Sequence, residues 1–396
     1  AALPWQFQVL DQAGGDTGPV LLIGDLAYVG RGPVVAVADV ADARRPRWVG
    51  QSSVLDGAVT ELLFAREGLL ALVGQDGYRD GYDEQLVSLS LADPLKPQTV
   101  AVLNLGDASL DLAPAADGAW LSAIVRSDLG SELKVMALDL ADPARPSVTV
   151  KWSSRWGERT WPERTPLLRS LGPGMVAAVG LRPNEAGDSL WVFDDTAGRD
   201  LALMNRFDLG PDDVLAMAVD PNQKRVYVAT EQSVRILDIA PDGGVRPRGS
   251  VQIGARGDCG GLFLVDRRLI AGSGCDGGLA EVIDVADPDQ PRLVSSSPVE
   301  ISLARLAATD TRMVGTGGRQ GGLRVLDRTQ PLALTMLGRI TDPPVYRNVV
   351  DTAHGRYGVV SGQGIVRLGG ESEPDWAAST LVYDHLGQRL LEPERA

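Results

Sequence analysis

One phrase recurs along this chain and limits what it can fold into. Val37-Ala38-Asp39-Val40-Ala41-Asp42 is followed by Pro46, and Leu89-Ser90-Leu91-Ala92-Asp93-Pro94 by Pro97. Leu138-Asp139-Leu140-Ala141-Asp142-Pro143 leads to Pro146, and Ile283-Asp284-Val285-Ala286-Asp287-Pro288 to Pro291. Looser copies end at Asp194, Asp238, Asp327 and Asp384. Successive copies lie 43 to 57 residues apart, with a mean close to 49. Eight units of this size read as stacked supersecondary modules, none of which buries its apolar faces alone.

Each unit has the same internal grammar. In the first, Val20-Leu21-Leu22-Ile23 turns at Gly24-Asp25 into Leu26-Ala27-Tyr28-Val29. Val34 to Val40 follows, then an Asp/Pro turn, then Arg47-Trp48-Val49-Gly50. The fifth unit repeats this with 214–219, 225–229, 234–238 and 248–251. Short β-rich runs bounded by Gly, Pro, Asp and Asn are strands and turns. Four strands per 40–50 residues is the pattern of a β-propeller blade. The 46 Gly and 25 Pro fit many turns and oppose a helical bundle.

The expected fold is therefore all-β, a single propeller of eight four-stranded blades spanning 1–396, with seven blades as the alternative if one unit merges with another. The units run over 19–55, 56–106, 107–152, 167–210, 211–254, 255–299, 300–340 and 345–391, with 151–166 inserted as a loop. Residues 1–12 contain Trp5-Gln6-Phe7-Gln8-Val9-Leu10, an alternating run without a unit of its own. It is expected to complete the last blade and so close the ring, covering an open sheet edge.

The grammar resembles that of the LVIVD-repeat family of bacterial and archaeal β-propellers. Ala27-Tyr28-Val29, Val226-Tyr227-Val228-Ala229 and the four Ala-Asp phrases with their prolines carry the likeness, which covers about residues 20–385. The resemblance implies a propeller and an exported or cell-surface setting. It brings no catalytic motif, because the signature Asp and Pro residues shape turns.

Charge and motifs narrow the function. A net charge of −14 opposes nucleic acid, which needs a basic surface. No apolar run has the length of a membrane helix. Only His354 and His385 are present, and no H-E-x-x-H, G-x-S-x-G or P-loop occurs. Gly272-Ser273-Gly274-Cys275-Asp276-Gly277 matches a dinucleotide-binding glycine pattern, but a strand follows it instead of the required helix.

Three sets of residues are candidates. Cys259 and Cys275 flank an apparent hairpin centred on Arg267, so they are expected to face each other and form a disulfide. That fits an oxidising compartment, as does Ala1-Ala2-Leu3-Pro4 read as the start of an exported, periplasmic or extracellular chain. Asp76, Asp80, Asp83 and Glu84 offer oxygen ligands for Ca²⁺, although without EF-hand spacing. Trp152, Arg155, Trp156, Arg159, Trp161 and Arg164 combine the residue types most enriched at interaction hot spots.

In a propeller, the loops joining second to third strands and blade to blade share one face. Gly74–Glu84, Arg126–Glu132, Leu181–Ser189, Gly272–Gly278, Gly362–Ser379 and the 151–166 segment are expected there, together with Tyr78, Tyr82 and Trp376. The leading expectation is a non-enzymatic exported platform for a protein partner or surface assembly, with no cofactor. The alternative is a calcium-dependent hydrolase or lactonase with carboxylates converging at the channel mouth. A quinoprotein ranks below both, for want of the Trp-rich repeat motif.

Overall fold

The computed structural model describes all residues except 1–8, 14–16, 66–67, 75–82, 115–117, 128–129, 156–166, 182–186, 197–200, 255–260, 273–278, 299–304, 310–311, 317–321, 328–334, 341–347, 353–354, 361–363, 369–381, 384–389 and 392–396. Among the described residues there is no helix. Blade 1 consists of Thr17–Ile23, Leu26–Arg31, Val34–Asp39 and Arg47–Gln51. Blade 2 consists of Ala58–Ala65, Gly68–Gly74, Asp83–Ser90 and the first part of the long strand Gln98–Pro114. The remainder of that strand opens blade 3, which continues through Gly118–Ser127, Gly130–Asp139 and Ser147–Arg155.

Blade 4 is Leu167–Ser170, Met175–Leu181, Asp188–Asp194 and Ala202–Asp208. Blade 5 is Ala216–Asp220, Arg225–Ala229, Ser233–Ile239 and Val245–Gln252. Blade 6 is Leu262–Val265, Arg268–Gly272, Leu279–Asp284 and Arg292–Pro298. Blade 7 is Arg305–Ala308, Met313–Thr316, Leu323–Leu326 and Met336–Ile340. Within every blade the strands pair antiparallel in chain order, and from blade 7 through blade 1 to blade 6 the first strands of neighbouring blades lie side by side around the axis.

The core sits between blades. Val34-Val35-Ala36-Val37-Ala38 is buried on both faces, as a strand covered by a sheet on either side must be. One apolar cluster fills each junction from blade 1 to blade 7 in turn, and a seventh joins blade 7 back to blade 1. In that last cluster Val314, Leu323 and Val325 pack on Val20, Ala27, Val29 and Ala38. Thr17 Oγ1 donates to Gly322 O at 3.0 Å, and Thr316 Oγ1 donates to Gly18 O at 2.6 Å.

The ring therefore holds seven blades, not eight, and blade 7 meets blade 1 directly. Seven was the stated alternative, but it does not arise from a merged unit: blades 2 and 3 share the long strand Gln98–Pro114 in one seven-stranded sheet and still count as two blades. Gly106, with φ of 76° and open space around its α-carbon, lies in this strand just before pairing passes from blade 2 to blade 3. The eighth unit forms a sheet of its own: Asn348–Thr352, Gly355–Val360 and Gly364–Leu368, completed by the N-terminal strand Val9–Ala13. The expected pairing of the first strand with the last unit is thus present, but ring closure is made by blades 7 and 1. A further short pair joins Val382–Tyr383 to Leu390–Leu391.

The recurring phrase forms one repeated turn. Asp39 Oδ1 accepts from Ala41 N, and Asp42 Oδ1 from Arg44 N; Asp139 and Asp142, then Asp284 and Asp287, repeat the pair of bonds. Three turns of this kind dock under the outer strand of the preceding blade. Gly50 of blade 1 rests on Leu95 of blade 2, Gly249 of blade 5 on Pro288 and Pro291 of blade 6, and Gly338 of blade 7 on Ala43 and Pro46 of blade 1. The last contact reproduces the others, so the closing junction is built as an ordinary one.

Candidate functional site

The two faces of the ring differ in construction. On one, first strands turn into second strands through short links such as Gly24-Asp25 and Asp266-Arg267, beside the Asx turns just described. On the other lie the second-to-third loops and the blade connections. Blade 3 rises above this loop face. Its second and third strands have 10 residues each, whereas second strands elsewhere in the ring have 4 to 7.

The additional length is at the loop end, because Gly118 pairs with Asp139 at the opposite end, as Leu26 pairs with Asp39 and Arg268 with Asp284. At a rise of about 3.3 Å per residue, three extra residues lift the hairpin by about 10 Å. This corrects the expected loop at Arg126–Glu132. Ser127 pairs with Gly130, and Arg126 with Ser131, so most of that stretch is strand. The apolar, β-rich run from Trp120 to Val125 and the alternation from Glu132 to Val135, both free of Gly and Pro, were the available signal. Arg155 pairs with Glu132 near the tip, so the last strand of the blade ends at the top of this arm.

The central channel gathers charges that the sequence reading missed. Glu61 lies on the first strand of blade 2, Asp111 of blade 3, Arg169 of blade 4 and Arg305 of blade 7. Arg305 Nη2 is 3.7 Å from Glu61 Oε2, a contact that passes blade 1 and so crosses the channel. Arg169 Nη1 donates to Asp111 Oδ2 at 2.7 Å, and the same oxygen accepts from Leu168 N at 2.7 Å.

Burial pushes the Glu61 carboxyl up; Arg305 opposes the shift and Asp111 adds to it. Burial also works against charge on Arg169, but Asp111 and Glu61 outweigh it and hold the guanidinium above its usual range. The two carboxylates converge as a channel-mouth metal site would require, yet arginines supply the countercharge. Among the described residues no group of three or more His, Cys, Asp or Glu could hold a metal ion. A lone charge inside each apolar first strand was the sequence signal, visible in Thr60-Glu61-Leu62 and Leu168-Arg169-Ser170.

Of the expected interaction residues, Trp152 has a structural partner set. Its ring meets Trp191 at 5.2 Å and Phe193 at 4.9 Å, in the cluster between blades 3 and 4. Arg155 is placed only through its backbone pairing. Trp156, Arg159, Trp161, Arg164, Tyr78, Tyr82 and Trp376 lie outside the described residues, as do Asp76 and Asp80. Asp83 opens the third strand of blade 2. Glu84 beside it is 7% exposed; its Oε2 has no hydrogen-bond partner, and burial pushes its carboxyl up to about 7.

Cys259 and Cys275 also fall outside the described residues. The hairpin between them pairs Val265 with Arg268 and Leu262 with Ala271. Its centre thus falls between Asp266 and Arg267, half a residue before the centre from which opposed cysteines were expected.

Two comparisons return nothing: no protein-family model matches the sequence, and no curated protein does. Solved structures do match. Saccharomyces cerevisiae Sqt1 is 8% identical with a TM-score of 0.55, over 93% of this chain and 98% of that one. A functionally unknown protein from Desulfotomaculum acetoxidans DSM 771 is 13% identical with a TM-score of 0.52, over 75% and 86%. The computationally designed Ika8 protein is 12% identical with a TM-score of 0.51, over 91% and 98%. At these identities the likeness concerns the fold alone, and the fold is a β-propeller. No helix among the described residues is long and apolar enough to cross a membrane.

Proposed function

We propose that this chain is a non-catalytic interaction platform: an exported propeller, akin to the LVIVD-repeat proteins, that holds a protein partner or surface assembly on its loop face. The observation that carries the reading is the raised hairpin of blade 3. The ten-residue strands outgrow their neighbours at the loop end, and the last strand of the blade ends there at Arg155, after which the Trp/Arg-rich 156–166 segment follows in sequence. Trp and Arg in such a position suit a desolvated contact with a partner. The calcium-hydrolase alternative has weaker support, because Arg169 and Arg305 stand where a cation would be needed.

The test is cross-linking capture from the source envelope with three forms: the unmodified chain, a form whose 124–133 hairpin is cut to a two-residue turn, and a rim control, Val102→Ser. Partners recovered by the first and third but lost by the second support the platform. Equal recovery by all three overturns it.

A further inference from the structure

The outer strand of a propeller blade has a bare edge, a row of N–H and C=O groups on which another strand can pair. In blade 2 this strand is the first part of Gln98–Pro114, which pairs with Asp83–Ser90 from Gln98 to Asp107. Blade 3 takes the other edge only from Ala108 onward, so among the described residues no strand pairs with the outward edge of 98–106. Proteins guard such edges chiefly with charge. Arg47 stands in the outer strand of blade 1, Lys151 in blade 3, Arg206 in blade 4, Arg248 in blade 5, Arg292 in blade 6 and Arg339 in blade 7. Blade 2 has no such guard, because the run from Pro97 to Gly106, between Lys96 and Asp107, carries no charge.

The same stretch is apolar where it meets solvent. Val100 is 42% exposed and Val102 51%, the highest value among the bulky apolar residues described as exposed. Beside the start of the strand lies an open groove of about 670 Å³, with Gln51–Ser53 on the blade 1 side and Lys96–Thr99 on the blade 2 side. Blade 1 therefore does not close over this edge. Register with Asp83–Ser90 breaks before Ala101 and after Asn104, which leaves Ala101–Asn104 as the regular stretch. A break of this kind recurs in the outer pairing of every other blade, so it is common to the ring. The missing charge is peculiar to blade 2.

Charge also selects the occupant. The chain carries −14 overall, so two copies repel unless an uncharged strip lets them touch. A strand paired antiparallel with its own copy brings equivalent residues close together, and a charge within it then opposes its like. That penalty falls on the six charged outer strands and spares this one. We propose that two copies of this chain pair edge to edge through the outer strand of blade 2, antiparallel about a twofold axis at Val102. In this register Val102 lies across from the partner's Val102, and Ala101 from the partner's Leu103. The contact is isologous, so each edge covers the other and assembly stops at two copies. The arm of blade 3 plays no part, and the inference stands without the platform reading.

The experiment follows the mass of the full chain by light scattering and sedimentation over a dilution series, with circular dichroism to check the fold. The unmodified chain should be dimeric at high concentration. Val102→Lys and Val102→Glu, at an exposed edge position, should keep the parent spectrum. Each should associate about 100-fold more weakly than the parent, because like charges then meet across the axis. Mixed in equal amounts, these two variants should form a mixed dimer, seen by native mass spectrometry, in which opposite charges face each other. Val102→Ser keeps the edge neutral and should stay dimeric, so it remains a rim control for capture. A parent that is monomeric at every concentration overturns the proposal, as does a Val102→Lys chain that dimerises like the parent. Absence of a mixed dimer overturns the pairing about Val102. The hairpin-shortened chain should remain dimeric; if it is monomeric, the arm holds the copies together and the proposal fails. Equal capture by all forms while the dimer persists would refute the blade 3 reading and leave this one standing.

Discussion

Replacing Gly338 with alanine tests both the inter-blade lock and the way the ring closes. A β-carbon there would lie 2.8 Å from Pro46 Cδ and 3.0 Å from the carbonyl carbon of Arg44, and closer still to the oxygen of Ala43. These are main-chain and ring atoms of a turn pinned by Asp39 and Asp42, so no flexible side chain can yield. Overpacking of this kind costs about 2–3 kcal/mol. Gly50→Ala meets the same obstacle at Leu95, 2.7 Å from its carbonyl carbon, and serves as the reference junction. Gly254→Ala is the control: its β-carbon would sit 3.4 Å from Glu281 Oε1, an ordinary contact, with an expected cost within about 0.5 kcal/mol.

Urea unfolding followed by fluorescence and circular dichroism gives the readout. With a slope of about 3 kcal/mol per molar, the Gly50 and Gly338 variants should each unfold about 1 M earlier than the parent, with the slope unchanged. If Gly338→Ala is as harmless as Gly254→Ala while Gly50→Ala is not, blade 7 does not rest on blade 1 and the seven-bladed closure is refuted. If both are harmless, the locking role of the Asp/Pro turn fails with them.

Other perturbations address the channel, the buried carboxyl and the arm. Asp111→Ala should cost about 3 kcal/mol, because Arg169 and Leu168 N lose their acceptor; adding Arg169→Met should restore part of it, which a double-mutant cycle in urea would measure. Glu84 binds its proton more tightly folded, at about 7, than at its ordinary 4.5. Its contribution is therefore most favourable below 4.5 and is lost as pH rises through about 7, a difference of about 3 kcal/mol. Glu84→Gln should flatten that slope, so midpoints at pH 5 and pH 8 that move as in the parent would contradict the assignment. Trp152→Ala should destabilise by about 2 kcal/mol without changing partner capture, since its ring serves the junction of blades 3 and 4; unchanged stability with lost capture would reverse that role.

What the sequence determined by itself was the repeated unit. Strand periodicity and the Asp-x-x-Asp turn are local, written in bonds between residues two or three apart, so the blade and its turn were legible from Asp39, Asp139 and Asp284. The pairing of the N-terminal strand with the last unit was legible too, from an alternating run without a unit of its own. The number of blades in the ring was not, because every unit carries the same grammar whether or not the ring admits it. That depended on how closely Gly338 fits the turn of blade 1 and how Val314 and Val325 meet Val20 and Val29, contacts between residues some 300 positions apart.

The channel charges were hidden for the same reason. Glu61 and Arg305 look like isolated polar residues in apolar strands until the closed ring sets them across its axis. The arm of blade 3 was half visible, as β-rich runs on either side of a polar, Gly-containing stretch that reads as a loop. Local hydrogen bonding defines a blade, and only the long-range packing of one blade on the next decides how many blades there are and what faces the axis.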